Sequence, residues 1–382
     1  MAATAKTSSI EITPIESTRD LKRFIRLPHD IYAGRDEWRA PLHIERRMHL
    51  SQKHNPAFEH LDWRAWLAWI DGRAVGRITA QVDRLRETEH GDRVGYFGML
   101  EAIDDARVFA GLLTTAETWL TERGMTAVHG PFNLTINDEC GLLIEGLDTP
   151  PMMMMGHGRE YYAPYVEAEG YDKAVDMLAY WIDLAFEHPR PMRRLLERYR
   201  SRIHIRPIER SRYTEELDTL RDIFNDAWAD NWGFVPFTEA EFRDMGNTLK
   251  LLIADDLVQI AEVNGKPAAF IVGLPNLNEA ARDLNGRLSP IGIGKLLWRL
   301  KVRFPRTARV PLMGVRQQYQ DGPLGAALAF GVIAAMQKSL RAHGATGCEL
   351  SWILEDNKGM RDIIERLGAH AYKTYRIYRK TL

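Results

Sequence analysis

The sequence predicts an α/β (α+β) protein of two domains that repeat one order of strands and helices. The chain has 382 residues, which is more than one ordinary core needs and enough for two domains of typical size. In each half, a short strand and a helix precede two strands joined by a tight-turn pair. The pair is Asp71-Gly72 in the first half and Asn264-Gly265 in the second. Both pairs are typical of two-residue β-hairpins.

The elements after the hairpin also match between the halves. A strand leads to a helix that ends near a glycine, and another strand, a shorter helix and a last strand follow. The predicted strands are 10–15, 63–70, 74–82, 94–100, 127–131 and 174–184, then 203–208, 257–263, 267–274, 310–315, 348–353 and 372–378. The predicted helices are 20–31, 105–123 and 161–169, then 215–228, 324–342 and 358–367. We therefore expect domains at 1–186 and 203–382, joined by a basic linker at 187–202.

Composition narrows the functional class. Hydrophobic residues make up 45% and charged residues 27%, and the net charge is -1, so the chain lacks the basic field that general nucleic-acid binding needs. Cys140 and Cys348 form no spaced cluster, so we expect no metal. The N-terminus lacks an apolar signal core, and the apolar stretch 322–336 is short for a membrane span, which favours a buried helix. These features predict a cytoplasmic protein.

The stretch that carries chemistry lies where the strand ending at Val315 meets the helix beginning near Leu324. Free amides at a helix N-terminus attract phosphate, and glycine lets a phosphate approach the backbone closely. The glycine spacing fits neither a Walker loop nor a Rossmann fingerprint. The candidate nucleotide-binding residues here are Gly314, Val315, Arg316, Gln320, Asp321, Gly322, Leu324, Gly325 and Ala326. A simple turn remains the alternative interpretation.

This stretch resembles the GNAT superfamily of acyltransferases. The family's Gln/Arg-x-x-Gly-x-Gly/Ala loop corresponds to 320–325, with Pro323 in place of the first glycine. The helix after Asn357 resembles the family helix that lines the pantetheine side of the cleft, with Ile364 where the family often has tyrosine. The resemblance implies an acyl-CoA co-substrate and, in each domain, a mixed, mostly antiparallel twisted sheet flanked by helices. Asn357 could instead be a simple helix cap.

GNAT chemistry, as the resemblance implies, is attack of an amine on a thioester, so a base and an acid are needed. We choose Glu355 as the base and Tyr375 as the acid. Asp356, Glu139 and His157 are alternative bases, and Tyr372 is an alternative acid. Strand side chains alternate between faces, which groups Ser351 with Glu349, and we assign Ser351 and Trp352 to substrate binding.

The first half has acidic residues where a phosphate loop would lie: Glu101, Asp104 and Asp105. They would repel pyrophosphate, so we expect this half not to bind CoA in the usual way. Its segment 130–146 and the Met152–Met155 run suit a polar head group beside an apolar chain. Loop bracing, core packing and a structural histidine are the competing interpretations. The candidate substrate residues are Asn133, Asn137, Asp138, Glu139, His157 and Tyr161.

Residues 291–309 contain six basic residues and no acid, interleaved with Trp, Leu, Val and Phe. This mixture suits the anionic inner face of a membrane, and a packed helix is the equal alternative. The whole chain resembles the tandem GNAT proteins that include bacterial ceramide synthases. That resemblance implies transfer of a fatty acyl group from acyl-CoA to a lipid amine such as a sphingoid base. An acetyltransferase for a small polar amine or peptide, and a non-catalytic CoA or lipid binder, remain alternatives.

Overall fold

The computed structural model describes residues 9–382 and divides the chain into two compact units. The C-terminal unit is Met177–Thr374, and the N-terminal unit comprises the preceding residues together with Tyr375–Leu382. The prediction that the chain has no signal peptide rests partly on residues 1–8, which lie outside the described residues.

The N-terminal unit is a mixed sheet flanked by helices. Its strands run in the order β1–β2–β3–β4–β5, and β5 pairs with the last residues of β13. These pairs are antiparallel except β4–β5, which is parallel. The strands are β1 Ile10–Pro14, β2 Leu61–Ile70, β3 Arg73–Asp83, β4 Val94–Ala102, β5 Ala127–Gly130, β6 Leu142–Glu145 and the first part of β7 Asp172–Asp183. The helices are α1 Thr18–Ile31, α2 His43–His49, α3 Arg84–His90, α4 Ala106–Thr121 and α5 Tyr162–Ala168.

The C-terminal unit repeats this plan. Its order is β7–β12–β11–β10–β9–β8, and β11–β12 is its parallel pair. The strands are β8 Ile203–Pro207, β9 Val258–Val263, β10 Lys266–Pro275, β11 Thr307–Val315, β12 Gly347–Leu354 and β13 His370–Thr381. The helices are α6 Arg190–Tyr199, α7 Tyr213–Trp228, α8 Glu239–Lys250, α9 Leu277–Ala280, α10 Pro290–Trp298, α11 Gln317–Gln320, α12 Pro323–Ala342 and α13 Lys358–Arg366. A π-helical turn, Arg299–Arg303, extends α10.

The two hairpin signals are confirmed. Asp71 and Gly72 have φ of 50° and 75°, and Asn264 and Gly265 have φ of 50° and 77°. A two-residue turn of this kind needs positive φ at both central residues, which asparagine, aspartate and glycine tolerate. The predicted repeat of mixed, mostly antiparallel sheets is therefore present in both units.

The unit boundaries differ from the domain limits expected at 186 and 203. The strands β7 and β13 each have 12 residues, and each is divided between the two units. Residues of β7 from Met177 to Asp183 pair with β12, and residues of β13 from Tyr378 to Thr381 pair with β5. A strand rises about 3.3 Å per residue, so 12 residues are long enough to serve two units. Linker composition does not reveal such a division.

The long helix α12 forms the centre of the C-terminal core. Leu328 and Val332 are fully buried in it, and Met336 is almost so. Within residues 9–382, α12 is the single helix long and apolar enough to qualify as a membrane-span candidate, and 56% of its apolar window is buried in the protein. Helices that fill soluble cores meet the same criterion, which agrees with the expected core helix.

Candidate functional site

The parallel strands β11 and β12 separate in the middle of the C-terminal unit. Their pairing covers Thr307–Val310 and Gly347–Leu350, but the strands continue to Val315 and Leu354. Beyond Val310 and Leu350 the facing backbone groups are no longer paired with each other. A fork of this kind leaves N–H and C=O groups available to a ligand, since buried backbone groups require partners.

A cavity of about 590 Å³ lies at this fork. Aliphatic and aromatic side chains dominate its lining, and a few polar groups lie among them. The large aliphatic lining residues are Ile182, Leu184, Ile271, Val310, Met313, Val315, Ile333, Met336, Leu340, Leu350, Ile353, Leu354, Met360, Ile363, Ile364 and Leu367. The volume is typical of ligand sites, whereas protein interiors contain few voids larger than a water molecule. The cavity is therefore suited to a ligand with a substantial apolar portion.

One face of α12 forms a wall of this cavity. The contributing residues are Gly325, Ala326, Ala329, Ile333, Met336, Gln337 and Leu340. Their spacing follows the 3.6-residue helical period, so a single face of the helix runs along the cavity from its first turn. The residues at the N-terminal end are small and leave space, whereas those further along are large, and all but Gln337 are apolar.

The N-terminus of α12 has no capping side chain. Gly322 occupies the cap position with φ of 133°, and Pro323 is the first helical residue. The amides of Leu324 and Gly325 lie in the first turn, where N–H groups have no intrahelical partner. A Cβ on Gly325 would lie 1.9 Å from the carbonyl oxygen of Tyr319, so only glycine fits there. The arrangement leaves the helix end open to an anion.

The equivalent helix of the N-terminal unit is closed. Asp105 caps α4 through its carboxylate, which accepts a hydrogen bond from the amide of Arg107 at 3.0 Å. The same carboxylate pairs with the Arg107 guanidinium, and this lowers its pKa. Nearby, the part-buried Glu101 accepts a hydrogen bond from the Tyr162 hydroxyl at 2.6 Å. The Asp105 carboxylate therefore already occupies the N-terminus of α4 where a phosphate would bind.

Several predicted CoA-loop side chains are engaged with the protein. Arg316 donates to the carbonyl of Pro267 and pairs with Asp222. Gln320 donates to the carbonyl of Val315 at 2.8 Å. Gly314, Val315, Gln320, Gly325 and Ala326 line the cavity, whereas Arg316, Asp321, Gly322 and Leu324 are not among its lining residues.

The helix α13 closes another side of the cavity. The side chain of Asn357 caps it by accepting from the Met360 amide at 3.1 Å, which agrees with the alternative interpretation of this residue. Asp356 and Asn357 line the cavity, whereas Glu355 does not. Glu355 accepts a hydrogen bond from Arg361 through its backbone carbonyl.

A buried polar network reaches the cavity at the fork. Ser351 lines the cavity, and its hydroxyl donates to Glu349 at 2.5 Å while accepting from Arg309 Nε at 2.8 Å. Tyr372 donates to the other oxygen of Glu349. Glu349 is completely buried, and Arg309 and Ser351 are almost so. The alternation of strand residues predicted the Ser351–Glu349 group. The sequence placed Arg309 in the basic stretch 291–309 instead, and this assignment was wrong for Arg309 because β11 buries it beside Glu349.

Trp352 also lines the cavity and packs edge-to-face on Trp228, with ring centroids 5.6 Å apart. Sequence reasoning missed the end of α7 and the turn after it, where Trp228, Asn231 and Trp232 contribute to the lining. No motif marks these residues, because only the packing of α7 on β11 brings them to the cavity.

The predicted acid, Tyr375, lies elsewhere. It belongs to the N-terminal unit, is completely buried and is not among the cavity-lining residues. No spacing rule required a tyrosine acid at this position. Tyr375 lies in the middle of β13, an interior strand of its sheet, where consecutive residues on both faces are buried. We therefore do not retain Tyr375 as the acid.

The predicted polar cluster of the N-terminal unit forms around Glu139. Its carboxylate pairs with Arg46 and accepts from the Asn133 side chain at 2.9 Å. Burial opposes ionisation of Glu139, but Arg46 and Asn133 outweigh it and lower the pKa. Asp138 accepts from the Thr135 hydroxyl and lies 3.8 Å from His49. The cluster is part-buried and charged.

The other candidate substrate residues of this unit, Asn137, Tyr161 and His157, make contacts within the protein. The amide of Asn137 donates to Thr135, and Tyr161 donates to the carbonyl of Ala102. His157 contacts Gly158 through Nδ1 and packs edge-to-face on Tyr32. In the Met152–Met155 run the two end residues are buried. Within residues 9–382, no group of three or more His, Cys, Asp or Glu is arranged to hold a metal ion.

Comparison with known proteins places this geometry in a family. No known family model matches the sequence. Protein YghO of Escherichia coli (strain K12) is 50% identical over 366 residues, covering 95% of this chain and 93% of that protein. The bacterial ceramide synthase of Caulobacter vibrioides (strain NA1000 / CB15N) is 45% identical over 377 residues, covering 98% of each chain. A solved tandem GNAT protein from the clavulanic acid biosynthesis pathway has the same fold, with a TM-score of 0.58, 13% identity and 98% coverage of both chains. The chain therefore has the tandem GNAT fold and belongs to the family that includes the bacterial ceramide synthase.

Proposed function

We propose that this protein is an acyl-CoA-dependent N-acyltransferase that transfers a fatty acyl group to the amine of a lipid such as a sphingoid base. The size and apolar lining of the cavity at the β11–β12 fork carry the proposal. An acetyl group would leave most of about 590 Å³ unfilled. A fatty chain would fill it, and each buried methylene contributes about 0.8 kcal/mol.

The open N-terminus of α12 supports binding of the CoA pyrophosphate beside this cavity. The amides of Leu324 and Gly325 belong to the first turn, where a helix favours negative charge, whereas the Ala326 amide already donates to the carbonyl of Gly322. Gly322 keeps the approach free of a side chain. In this proposal Arg316, Gln320 and Asp321 shape the loop, since Arg316 and Gln320 are engaged with the protein. Gly314, Val315 and Asn357 lie along the pantetheine.

The reaction forms a C–N bond and breaks a C–S bond, so a proton leaves the amine and one reaches the thiolate. We assign the first transfer to Ser351, whose hydroxyl would accept the amine proton as its own proton passes to Glu349. The same relay in reverse, from Glu349 through Ser351, would give a proton to the departing thiolate, so the two transfers balance. Arg309 and Tyr372 hold Glu349 in place. Asp356, at the cavity wall, is a second candidate base. The base chosen from the sequence, Glu355, is not among the cavity-lining residues, and its catalytic role stays a prediction.

The lipid acceptor is proposed from two observations. The related Caulobacter protein is a ceramide synthase, and the cavity favours long apolar chains. The polar cluster of Asn133, Asp138 and Glu139, with Asn137, His157 and Tyr161 around it, is proposed to bind a polar head group. Because such lipids reside in bilayers, the proposal includes a cytoplasmic enzyme that contacts the inner face of the membrane peripherally. Of the predicted stretch 291–309, only the exposed part on α10 and the π-helical turn can make this contact, since Arg309 is buried in β11.

A chain-length series tests the proposal. Purified protein would be assayed for free-thiol release with a sphingoid base and acyl-CoA donors from acetyl to palmitoyl. We expect palmitoyl-CoA to be preferred, and a preference for acetyl-CoA would contradict the fatty-acyl assignment. Ala329→Phe would fill the cavity from the α12 wall and shift the preference to shorter donors. Ala342→Phe, at the exposed end of the same helix, is the matched control and should leave the preference unchanged.

A further inference from the structure

The largest concentration of exposed apolar side chains lies on α10 and the π-helical turn that follows it. Five large hydrophobic residues with 39–84% exposure occur within 12 residues, whereas only three others are found elsewhere in the described chain. The five are Ile291, Ile293, Leu297, Trp298 and Val302. Exposed patches of this kind mark surfaces that contact a partner or a membrane.

This segment has apolar side chains on two different sides. Leu296 and Leu300, four residues apart, are buried and anchor the helix on the protein. Ile291, Trp298 and Val302 follow the spacing i, i+7 and i+11, which places them along one exposed side of a helix. They are 84%, 51% and 71% exposed. The helix therefore has one apolar side for its own core and a second that faces outward.

The charges around this outward side have a single sign. Between Asp283 and Thr307 the sequence has six Lys and Arg residues and no acid. Asp283 pairs with Lys295 and Arg299 and ties the base of the helix to the protein. Lys301 and Arg303 are exposed, and within residues 9–382 they form no ion pair. They remain available to an external anion.

We propose that α10 and its π-helical turn dock on an anionic lipid bilayer, with Ile291, Trp298 and Val302 in the acyl boundary and Lys301 and Arg303 on the head groups. Apolar side chains with tryptophan insert at that depth, and basic residues beside them add electrostatic attraction. A protein partner would not require charges of one sign over the whole segment. The inference deepens the proposed function, because a docked enzyme would reach lipid substrates, but docking itself requires no turnover.

Flotation of the purified full-length protein with vesicles tests the proposal. We expect binding to vesicles that contain phosphatidylglycerol, weaker binding to pure phosphatidylcholine, and loss of binding at high salt. Lys301→Gln with Arg303→Gln should weaken binding about 30-fold, since each basic residue contributes about 1 kcal/mol and 1.4 kcal/mol corresponds to tenfold. Ile291→Ser with Val302→Ser should weaken it comparably, and Trp298→Ala is a second, independent variant.

Matched controls are available in the same unit. Leu251→Ser changes a hydrophobic residue that is 66% exposed outside the patch, and Lys338→Gln with Arg366→Gln removes two exposed basic residues elsewhere. These variants should bind vesicles like the unchanged protein. Three outcomes would overturn the proposal. Controls and patch variants could lose vesicle binding equally, or the unchanged protein could fail to bind anionic vesicles. The patch variants could also change the oligomeric state alone. Activity on detergent-dispersed substrate should stay the same in the patch variants, which separates failure of docking from failure of the proposed reaction.

Discussion

The substitution Gly325→Ala tests the helix end on which CoA binding depends. Alanine is the better helix former by about 1 kcal/mol, so propensity alone predicts a more stable protein. The structure predicts the opposite, because the new Cβ would lie 1.9 Å from the carbonyl oxygen of Tyr319. That atom belongs to the backbone and cannot rotate away. Ordinary contacts begin near 3.4 Å, so α11, which contains Tyr319, would have to move relative to α12 by more than 1 Å.

The cost of such overpacking is about 1–3 kcal/mol, which exceeds the gain from propensity. We therefore expect Gly325→Ala to lower stability in urea unfolding. It should also weaken palmitoyl-CoA binding in calorimetry by at least tenfold, because the displacement occurs beside the first-turn amides of α12. Gly294→Ala is the control, since its Cβ would meet nothing within 4 Å in an exposed helix. It should be neutral or slightly stabilising. If Gly325→Ala is as stable as Gly294→Ala and binds the donor equally well, the proposed role of this helix end is incorrect.

Two further predictions concern the buried polar groups. Ser351→Ala should lower kcat by about 10²–10⁴-fold with little change in acyl-CoA affinity, because it removes the proton relay to Glu349 and leaves the cavity wall in place. The control is Ser339→Ala, which changes a buried serine outside the cavity lining. Equal rates for the two variants would contradict the relay. Burial and the nearby Arg86 lower the pKa of His129 from 6.5 to about 4. Between these pH values the unfolded chain binds the proton more readily than the folded protein does. The free energy of unfolding should therefore fall by up to about 3 kcal/mol as the pH drops from 6.5 to 4. His129→Gln should flatten this part of the stability profile in urea unfolding, and an unchanged slope would show that His129 does not cause it.

Local signals predicted much of the fold. The Asp71-Gly72 and Asn264-Gly265 pairs specify their turns through backbone conformations that few residues tolerate. The junction at Gly322 was placed to within a residue, because strand and helix periodicities change there. Helix α8, with a capping box at Thr238 and Glu241, was missed although the signal was present.

The candidate site was only partly predictable. Ser351, Trp352, Asn357 and the cavity-lining part of the loop surround one cavity, and their roles there stay predictions. Tyr375 does not, because its burial depends on neighbours distant in sequence. The Arg309–Glu349 pair and the wall formed by Trp228 and Trp232 also arise from packing between elements more than 30 residues apart, which no local pattern encodes.

The sequence by itself determined the repeated order of elements, the turns and the open helix end, since these depend on residues close together in the chain. Only the tertiary structure decided the division of β7 and β13 between the units, the cavity at the fork of β11 and β12, and the second, outward apolar side of α10. Each of these depends on which distant segments pack together and how much surface they cover. The free energy of that packing comes from contacts throughout the unit, so no local stretch of sequence encodes it.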